Sequence, residues 1–219
     1  MFHSYAANAE SEFTWENMLI MSGKLDKTFP HKKAAKCYME TFYGEDFLKY
    51  KSDEFEFPDK LKSMIPLMQK HFSNLKSDEI FIIRTSMKID KYDFDKQWFP
   101  ISGLNKNSYY KVDGSKCYRN NDPDPGIHTA FKIYFNNPEI VKNIKMKKEK
   151  AKVFIKKRKK DYGYEISIDR TVYVNIFFKI TGFKKGDRSE RGYGLFNANI
   201  TEVLIFDDDH EKFLIAKYN

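Results

Sequence analysis

The chain has 219 residues, a mass of 26.1 kDa and a formal net charge of +8, and 41% of its residues are hydrophobic. This length suits one ordinary globular domain, and the 20 Phe and 14 Tyr supply large apolar surfaces that fibrous and disordered chains lack. No apolar run approaches the roughly 18 residues of a membrane-spanning helix, because Asn175 and Lys179 interrupt even the densest stretch, 172–180. We therefore expect a soluble single domain over residues 1–219.

Helical periodicity predicts that the N-terminal part of the chain is mainly helical, over residues 1–78. Apolar residues recur every three or four positions in three stretches, residues 14–24, 32–50 and 58–75. Thr14 is expected to cap the first helix, and Gly44 can break the second. Apolar faces at such spacing usually pack in a core, so these helices are interpreted as packing elements.

From residue 79 the apolar period changes towards two, which predicts strands and a mainly β part over residues 79–219. The predicted strands are 79–89, 98–102, 127–135, 170–183, 195–206 and 212–218, with loops at 105–107 and 113–126. Short links join the last three strands, which predicts an antiparallel meander. The expected fold class is α+β, with N-terminal helices packed on a curved, mostly antiparallel sheet that ends in a C-terminal β-meander.

A single segment makes the protein basic. Residues 142–160 contain eleven Lys or Arg and one acidic residue, Glu149, so the other 200 residues carry a net charge of −2. Such a run can bind an anionic partner, namely nucleic acid, anionic lipid or acidic protein, whereas a solvated lysine face is the ordinary alternative. The candidate anion-binding residues are Lys147, Lys148, Lys150, Lys152, Lys156, Lys157, Arg158, Lys159 and Lys160, with Arg188 and Arg191 from a glycine-rich loop.

The basic segment carries a thin apolar face. Ala151, Phe154 and Ile155 lie at helical spacing, which predicts a helix over residues 147–160 that docks on the core by these three side chains. A hairpin strand over residues 151–157 is the alternative.

The sequence contains no catalytic or cofactor motif. Its five histidines never occur at metal-ligand spacing, and no serine lies in a G-x-S-x-G turn. The glycine-rich stretch 184–194 matches neither a P-loop nor a dinucleotide-binding fingerprint. The acidic run 207–211 would suit a hard cation, but a solvated turn is the ordinary expectation there. We therefore assign no catalytic residue, no metal and no cofactor.

The two cysteines, Cys37 and Cys117, lie 80 positions apart, which excludes a zinc site built on closely spaced thiolates. Spacing leaves open whether they form a disulfide or remain a core residue and a loop thiol. The segment Ala7-Asn8-Ala9 resembles the end of a signal peptide, although no apolar region precedes it. Export to the periplasm or medium is favoured over a cytoplasmic location, and a frayed N-terminal stub is the alternative reading of this segment.

Short aromatic motifs are spread along the chain. They are Asp53-Glu54-Phe55-Glu56-Phe57, Lys91-Tyr92-Asp93-Phe94 with Phe99, and Ala151-x-x-Phe154 followed by Arg170-x-Val172-Tyr173-Val174. This pattern resembles an uncharacterised family of bacterial proteins, a domain of unknown function. The resemblance implies a bacterial source and an accessory or exported protein, and it implies no activity.

Two functions are consistent with these observations. A non-catalytic binding or interaction protein of bacterial origin, with a basic surface patch for an anionic partner, is favoured because no catalytic motif is present. The alternative is a metal-assisted hydrolase or a nuclease-like enzyme, in which dispersed carboxylates meet a cation in a cleft. The candidate carboxylates are Asp90, Asp93, Asp122 and Asp124.

Overall fold

Four of the described helices precede the long strands, and a fifth lies among the later strands. A computed structural model describes residues 10–76, 78–114, 127–141, 143–187 and 192–219. The helices of this part of the chain are α1 (Trp15–Leu25), α2 (His31–Phe42), α3 (Gly44–Tyr50), α4 (Glu56–Asn74) and α5 (Lys148–Lys157), with a 3-10 turn at Pro138–Ile140. None of the described helices is long and apolar enough to cross a membrane.

The strands form one large sheet and one small hairpin. They are β1 (Ser11–Glu12), β2 (Ile80–Ile89), β3 (Trp98–Ser102), β4 (Tyr109–Asp113), β5 (Ala130–Phe135), β6 (Asn143–Lys145), β7 (Lys159–Asp161), β8 (Ile166–Ile168), β9 (Thr171–Lys185), β10 (Tyr193–Phe206) and β11 (Leu214–Tyr218). The strand order is β4-β5-β10-β9-β2-β3-β6, with β1 paired to β2 and β11 paired to β10. Among the described strands, β7 and β8 pair only with each other.

Local chemistry explains where the N-terminal helices begin and end. The Thr14 hydroxyl accepts a hydrogen bond from the backbone N–H of Asn17 at 3.2 Å, which caps α1 as predicted. The helix predicted over 32–50 divides at Tyr43, so Gly44 begins α3 rather than ending α2. The boundary lies there because Tyr43 leaves the helical region, at φ −134° and ψ 48°.

The chain forms two compact units, and the first comprises Met1–Phe81, Tyr109–Tyr134 and Lys179–Ala198. Its core is aromatic. Phe131 lies 5.6 Å from Phe196 between ring centroids, and Phe196 lies 4.9 Å from Phe183. The Trp15 indole N–H donates to the backbone carbonyl of His128 at 3.1 Å, which fastens α1 to the residues before β5.

The second unit comprises Ile82–Ser108, Phe135–Phe178 and Asn199–Asn219, and it contains the whole basic segment. Its buried rings include Phe99 and Phe154, whose centroids are 5.5 Å apart. Phe135 and Phe178 form another ring pair, which is edge-on with centroids 5.5 Å apart. The basic helix α5 is therefore anchored by one aromatic contact in a unit that is mainly β.

The α+β class is confirmed, with four helices before β2 and a mostly antiparallel sheet after it. The predicted C-terminal strands are also confirmed, since β9 neighbours β10, and β10 pairs with β11 in antiparallel register. The alternative of a strand over 151–157 is wrong, because α5 covers these residues. Strands β4, β6, β7 and β8 were not predicted, and they are only three to five residues long.

Candidate anion-binding surface

Helix α5 presents lysines to solvent because its apolar face is narrow. Ala151 and Phe154 are buried, and the Phe154 ring packs on Phe99. Ile155, the third residue of the predicted face, is half-buried, and the remaining positions of the helix are exposed, so the helix docks by one edge. The exposed lysines of α5 and of the adjoining β7 are Lys147, Lys148, Lys150, Lys152, Lys156, Lys157, Lys159 and Lys160.

Most of these ammonium groups have no partner within the part of the chain that the structure describes. Lys160 is an exception, because its Nζ lies 3.3 Å from the Asp169 carboxylate. The Nζ of Lys148 lies 6.0 Å from the centre of the Phe94 ring, at the limit of a cation–π contact. The side chains of the other six lysines make no hydrogen bond or ion pair with any described residue. We name the eight lysines together the basic surface.

Arg158 does not belong to the basic surface, which corrects its assignment as an anion-binding residue. Its side chain is only 8% exposed, and its guanidinium donates to both the carboxylate and the backbone carbonyl of Asp207. It also donates to the carbonyl of Thr171 and covers the ring of Phe154 at 4.2 Å. The donors that would read an anion are therefore already engaged inside the protein.

A sequence signal for the burial of Arg158 exists. Ala151, Phe154 and Arg158 are spaced at i, i+3 and i+7, so the arginine falls on the same face of the helix as the two buried residues. Arg158 lies just past the last helical turn, at the C-cap, where it reaches the interior. Because Arg158 lies within a run of lysines, its place in this helical periodicity was not recognised from the sequence.

The basic surface continues from α5 into the β7–β8 hairpin. Lys159 pairs with Ile168 and Lys160 with Ser167 in antiparallel register. Gly163 lies in the turn at φ 80°, a left-handed conformation that glycine adopts without strain, and its N–H donates to the Asp161 carboxylate at 2.8 Å. The hairpin turn therefore has a defined geometry, and the last two lysines of the surface lie on the β7 strand that leads into it.

A groove of about 490 Å³ lies beside the end of α5 and carries both signs of charge. It is lined by Lys157, Arg158, Lys160, Asp169, Thr171, Tyr173, Asp207, Asp208, Asp209 and Phe213. Carboxylates on this side would repel an anion from the groove itself. We therefore expect an anionic partner to bind the exposed lysines rather than the groove.

The acidic run 207–211 serves the turn between β10 and β11. Asp208 accepts hydrogen bonds from the backbone N–H groups of His210 at 3.0 Å and Phe213 at 2.9 Å. Although partial burial raises the pKa of the Asp208 carboxyl, these N–H donors outweigh it and leave the pKa below its usual range. Among the described residues no group of three or more His, Cys, Asp or Glu could hold a metal ion.

The carboxylates considered for an enzyme are used locally where the structure describes them. Asp90 accepts from the Ser102 hydroxyl at 2.9 Å. Asp93 accepts from the backbone N–H groups of Asp95 and Lys96, the pattern of an Asx turn. Asp122 and Asp124 lie outside the described residues, as do Arg188 and Arg191 of the predicted surface.

Cys37 is buried in α2 and is disulfide-bonded. The only other cysteine of the chain, Cys117, lies outside the described residues. The small-residue segment at positions 7–9 also lies outside them.

Large apolar side chains near the basic surface were not identified from the sequence. Phe94, Tyr162, Tyr164 and Ile166 are all more than half exposed. Their alternation with polar residues resembles that of a half-buried strand, so no sequence pattern separated them from core residues.

Comparison with known proteins identifies a family and no activity. No curated protein and no solved structure matches the chain. A family model described as "Domain of unknown function (DUF4852)" matches residues 31–157, which is more than half of the chain and extends from α2 to the end of α5. The resemblance to a domain of unknown function is thereby confirmed, and the protein belongs to the DUF4852 family.

Proposed function

We propose that this is a non-catalytic binding protein of bacterial origin, whose basic surface on α5 and β7 contacts an anionic partner. The observation that carries the proposal is the set of six exposed lysines without a partner among the described residues. The bacterial origin rests on the family resemblance.

Electrostatics within α5 support this proposal. Lys148, Lys152 and Lys156 are spaced four residues apart, and like charges at this spacing destabilise a helix by about 0.2–0.5 kcal/mol per pair. If this face served only solubility, we would expect acidic residues among the lysines to reduce the repulsion. Glu149 is the only acidic residue of α5. A bound polyanion would relieve this repulsion, since its charges would screen all three ammonium groups together.

The engagement of Arg158 supports the same proposal. Because its guanidinium is bound to Asp207, the end of α5 is held in place while the neighbouring lysines stay in water. Because the backbone of α5 is already fixed, less conformational entropy is lost when its ammonium groups bind an extended anion.

The disulfide at Cys37 supports an exported protein. Disulfides persist mainly in oxidising compartments such as the periplasm and the extracellular medium. An accessory protein in such a compartment meets anionic polymers and membrane surfaces there.

The test is binding of the full chain to labelled single-stranded and double-stranded DNA and to anionic liposomes over a salt series. The variant Lys156→Gln/Lys157→Gln/Lys159→Gln/Lys160→Gln removes half of the basic surface. A matched control changes four exposed lysines of the helical part to Gln, namely Lys32, Lys51, Lys70 and Lys76. Both variants lower the net charge equally.

We expect polyanion binding that weakens linearly on a log–log salt plot. For double-stranded DNA the slope should fall by about 2–4 in the surface variant, because each lost phosphate contact contributes about 0.9. The control should retain the wild-type slope. Equal binding by both variants, or no binding of the wild type to any of the polyanions, would refute the proposal.

A further inference from the structure

Exposed apolar side chains accompany the basic surface at both ends of α5. Tyr164 is 89% exposed, Phe94 69% and Ile166 63%. Large apolar groups this accessible are costly in water, and exposed apolar groups that flank a charged surface indicate an interaction site.

Phe94 lies at the start of α5. Its ring is 6.0 Å from the ammonium of Lys148, the first residue of the helix. The ring is also held edge-on against Tyr92 at 5.1 Å, and the Tyr92 hydroxyl donates to the carbonyl of Met146 at 2.7 Å. Phe94 is thus fixed beside the first lysines of the basic surface.

Tyr164 and Ile166 lie beyond the other end of α5, in the β7–β8 hairpin. The backbone N–H of Tyr162 donates to the carbonyl of Glu165 at 3.0 Å, and Ile166 is paired with Asp161. Tyr164 lies within this closed turn, four residues after Lys160. The hairpin therefore presents an aromatic and an aliphatic side chain close to the last lysines of the surface.

The exposed charge between the two apolar groups is strongly positive. Residues 147–166 carry the eight lysines of the basic surface and three exposed carboxylates, those of Glu149, Asp161 and Glu165. One of the three, Asp161, is engaged by the Gly163 N–H. The excess of ammonium groups is complementary to an anionic surface.

We propose that the anionic partner is a lipid bilayer, which the protein binds at its surface by the lysines of the basic surface and by shallow insertion of Phe94, Tyr164 and Ile166. This inference rests on the proposed function, since it names the partner of the same surface. Lysine clusters bind anionic headgroups, and tyrosine and phenylalanine partition into the membrane interface.

Two features favour lipid over nucleic acid. The exposed cations of α5 and β7 are all lysines, because Arg158 is withdrawn, whereas arginine is the residue preferred for bidentate phosphate recognition. Ile166 and the half-exposed Val153 of α5 present no flat ring on which a base could stack, yet both gain by transfer into an interface.

The experiment measures co-sedimentation of the full chain with two kinds of vesicle, one of phosphatidylcholine alone and one of phosphatidylcholine with about 30% phosphatidylglycerol. The anionic lipid gives the second vesicle a negative surface that attracts polybasic segments. The test variant is Tyr164→Ser/Ile166→Ser. The matched control, Leu48→Ser/Phe55→Ser, removes two equally exposed apolar side chains from the helical part. Single-stranded DNA serves as a polyanion without an interface.

We expect binding to the anionic vesicles, little binding to phosphatidylcholine, and a loss of about tenfold in partitioning for Tyr164→Ser/Ile166→Ser, because two side chains no longer insert. DNA binding should change less than twofold in this variant, and the control should partition like the wild type. In a Tyr164→Trp variant, fluorescence should be quenched by brominated lipid chains.

Other outcomes separate the two proposals. Vesicle binding unaffected by Tyr164→Ser/Ile166→Ser, or DNA binding much tighter than vesicle binding, would overturn the lipid inference while the basic surface kept its role. Loss of discrimination between the quadruple lysine variant and its control on every polyanion would overturn the proposed function, and the lipid inference with it.

Discussion

Arg158 lies at the C-terminal end of α5 and forms an ion pair with Asp207, the residue that follows β10. The arginine side chain is 8% exposed and that of the aspartate 26%. Besides the carboxylate, the guanidinium binds the Asp207 and Thr171 carbonyls, so it joins the end of α5 to the beginning of β9 and the end of β10. This ion pair thus helps to hold the most basic segment of the chain within its own unit.

Removing this guanidinium should destabilise the protein strongly. Arg158→Ala leaves the Asp207 carboxylate without its ion-pair partner and removes the donor to the carbonyls of Asp207, Thr171 and Asp169, and breaking a buried pair costs about 3–5 kcal/mol. Arg158→Lys should recover only part of this free energy, since an ammonium group cannot reproduce the planar, bidentate hydrogen bonding of a guanidinium. Urea unfolding measures the free energy. A loss below about 1 kcal/mol for Arg158→Ala would contradict the buried placement.

Asp169 should make stability depend on pH in the acidic range. The backbone N–H of Thr171 donates to its carboxylate at 2.9 Å, and this bond, helped by Lys160, lowers the pKa of Asp169 to about 2. Because the folded-state pKa lies below the unfolded value of about 4, the contribution is present above pH 4 and is lost as the pH falls from 4 to 2. The group is partly exposed, so screening reduces its size.

The measurement compares the unfolding free energy of the wild type and Asp169→Asn from pH 7 to pH 2. Above pH 4 the wild type should be the more stable protein. The two curves should approach each other at the acidic end, where the wild-type carboxyl becomes protonated. A difference independent of pH would mean that the carboxylate charge contributes nothing.

The sequence was informative wherever an element was long enough to show a period. Strand β2 occupies residues 80–89 and β3 occupies 98–102, as alternation predicted, and α1 begins after the predicted cap at Thr14. Strands β7 and β8 have three residues each, too few for alternation to be visible, so the hairpin that follows α5 was not predicted.

The candidate surface was predicted in outline from charge density alone. Charge density does not show which cation turns inward, because that depends on a distant partner such as Asp207, which lies 49 residues from Arg158. Exposure of Tyr164 was likewise invisible, since an aromatic residue beside a glycine is compatible with a core or a turn. The helical spacing of Ala151, Phe154 and Arg158 does indicate the buried face, but the partner of Arg158 and the exposure of Tyr164 are long-range or tertiary, and no local pattern encodes them.

His128 should titrate far below an ordinary histidine. Its ring lies between Phe131 and Phe183, with centroids 5.6 Å from each, and this burial, with some repulsion from Lys185, lowers the pKa of His128 to about 4. Attraction by Asp26 opposes the shift only in part. The imidazole is therefore neutral at physiological pH.

The sign of the stability effect follows from that lowered value. The unfolded chain, with a histidine pKa of about 6.5, binds the proton more readily, so the folded state loses stability as the pH falls from 6.5 to 4. Proton NMR of the His128 ring should give a midpoint near 4, and a His128→Gln variant should lose part of this pH dependence. A midpoint near 6.5 would show that the ring is solvated.

Gly23 and Gly44 should respond in opposite ways to the same substitution. A Cβ on Gly23 would lie 2.1 Å from the Phe72 ring, which is itself packed on Phe29 at 5.1 Å and cannot easily move. Overpacking costs about 1–3 kcal/mol or more, which outweighs the gain of about 1 kcal/mol in helix propensity. A Cβ on Gly44 meets nothing within 4 Å, so only the favourable effect remains at the start of α3.

Thermal unfolding of Gly23→Ala, Gly44→Ala and the wild type tests this contrast. We expect the melting temperature of Gly23→Ala to fall by several degrees, since about 1 kcal/mol corresponds to 2–4 °C in a chain of this size. Gly44→Ala should melt at or slightly above the wild-type temperature. A higher melting temperature for Gly23→Ala than for Gly44→Ala would contradict the close approach of α1 to the Phe72 ring of α4.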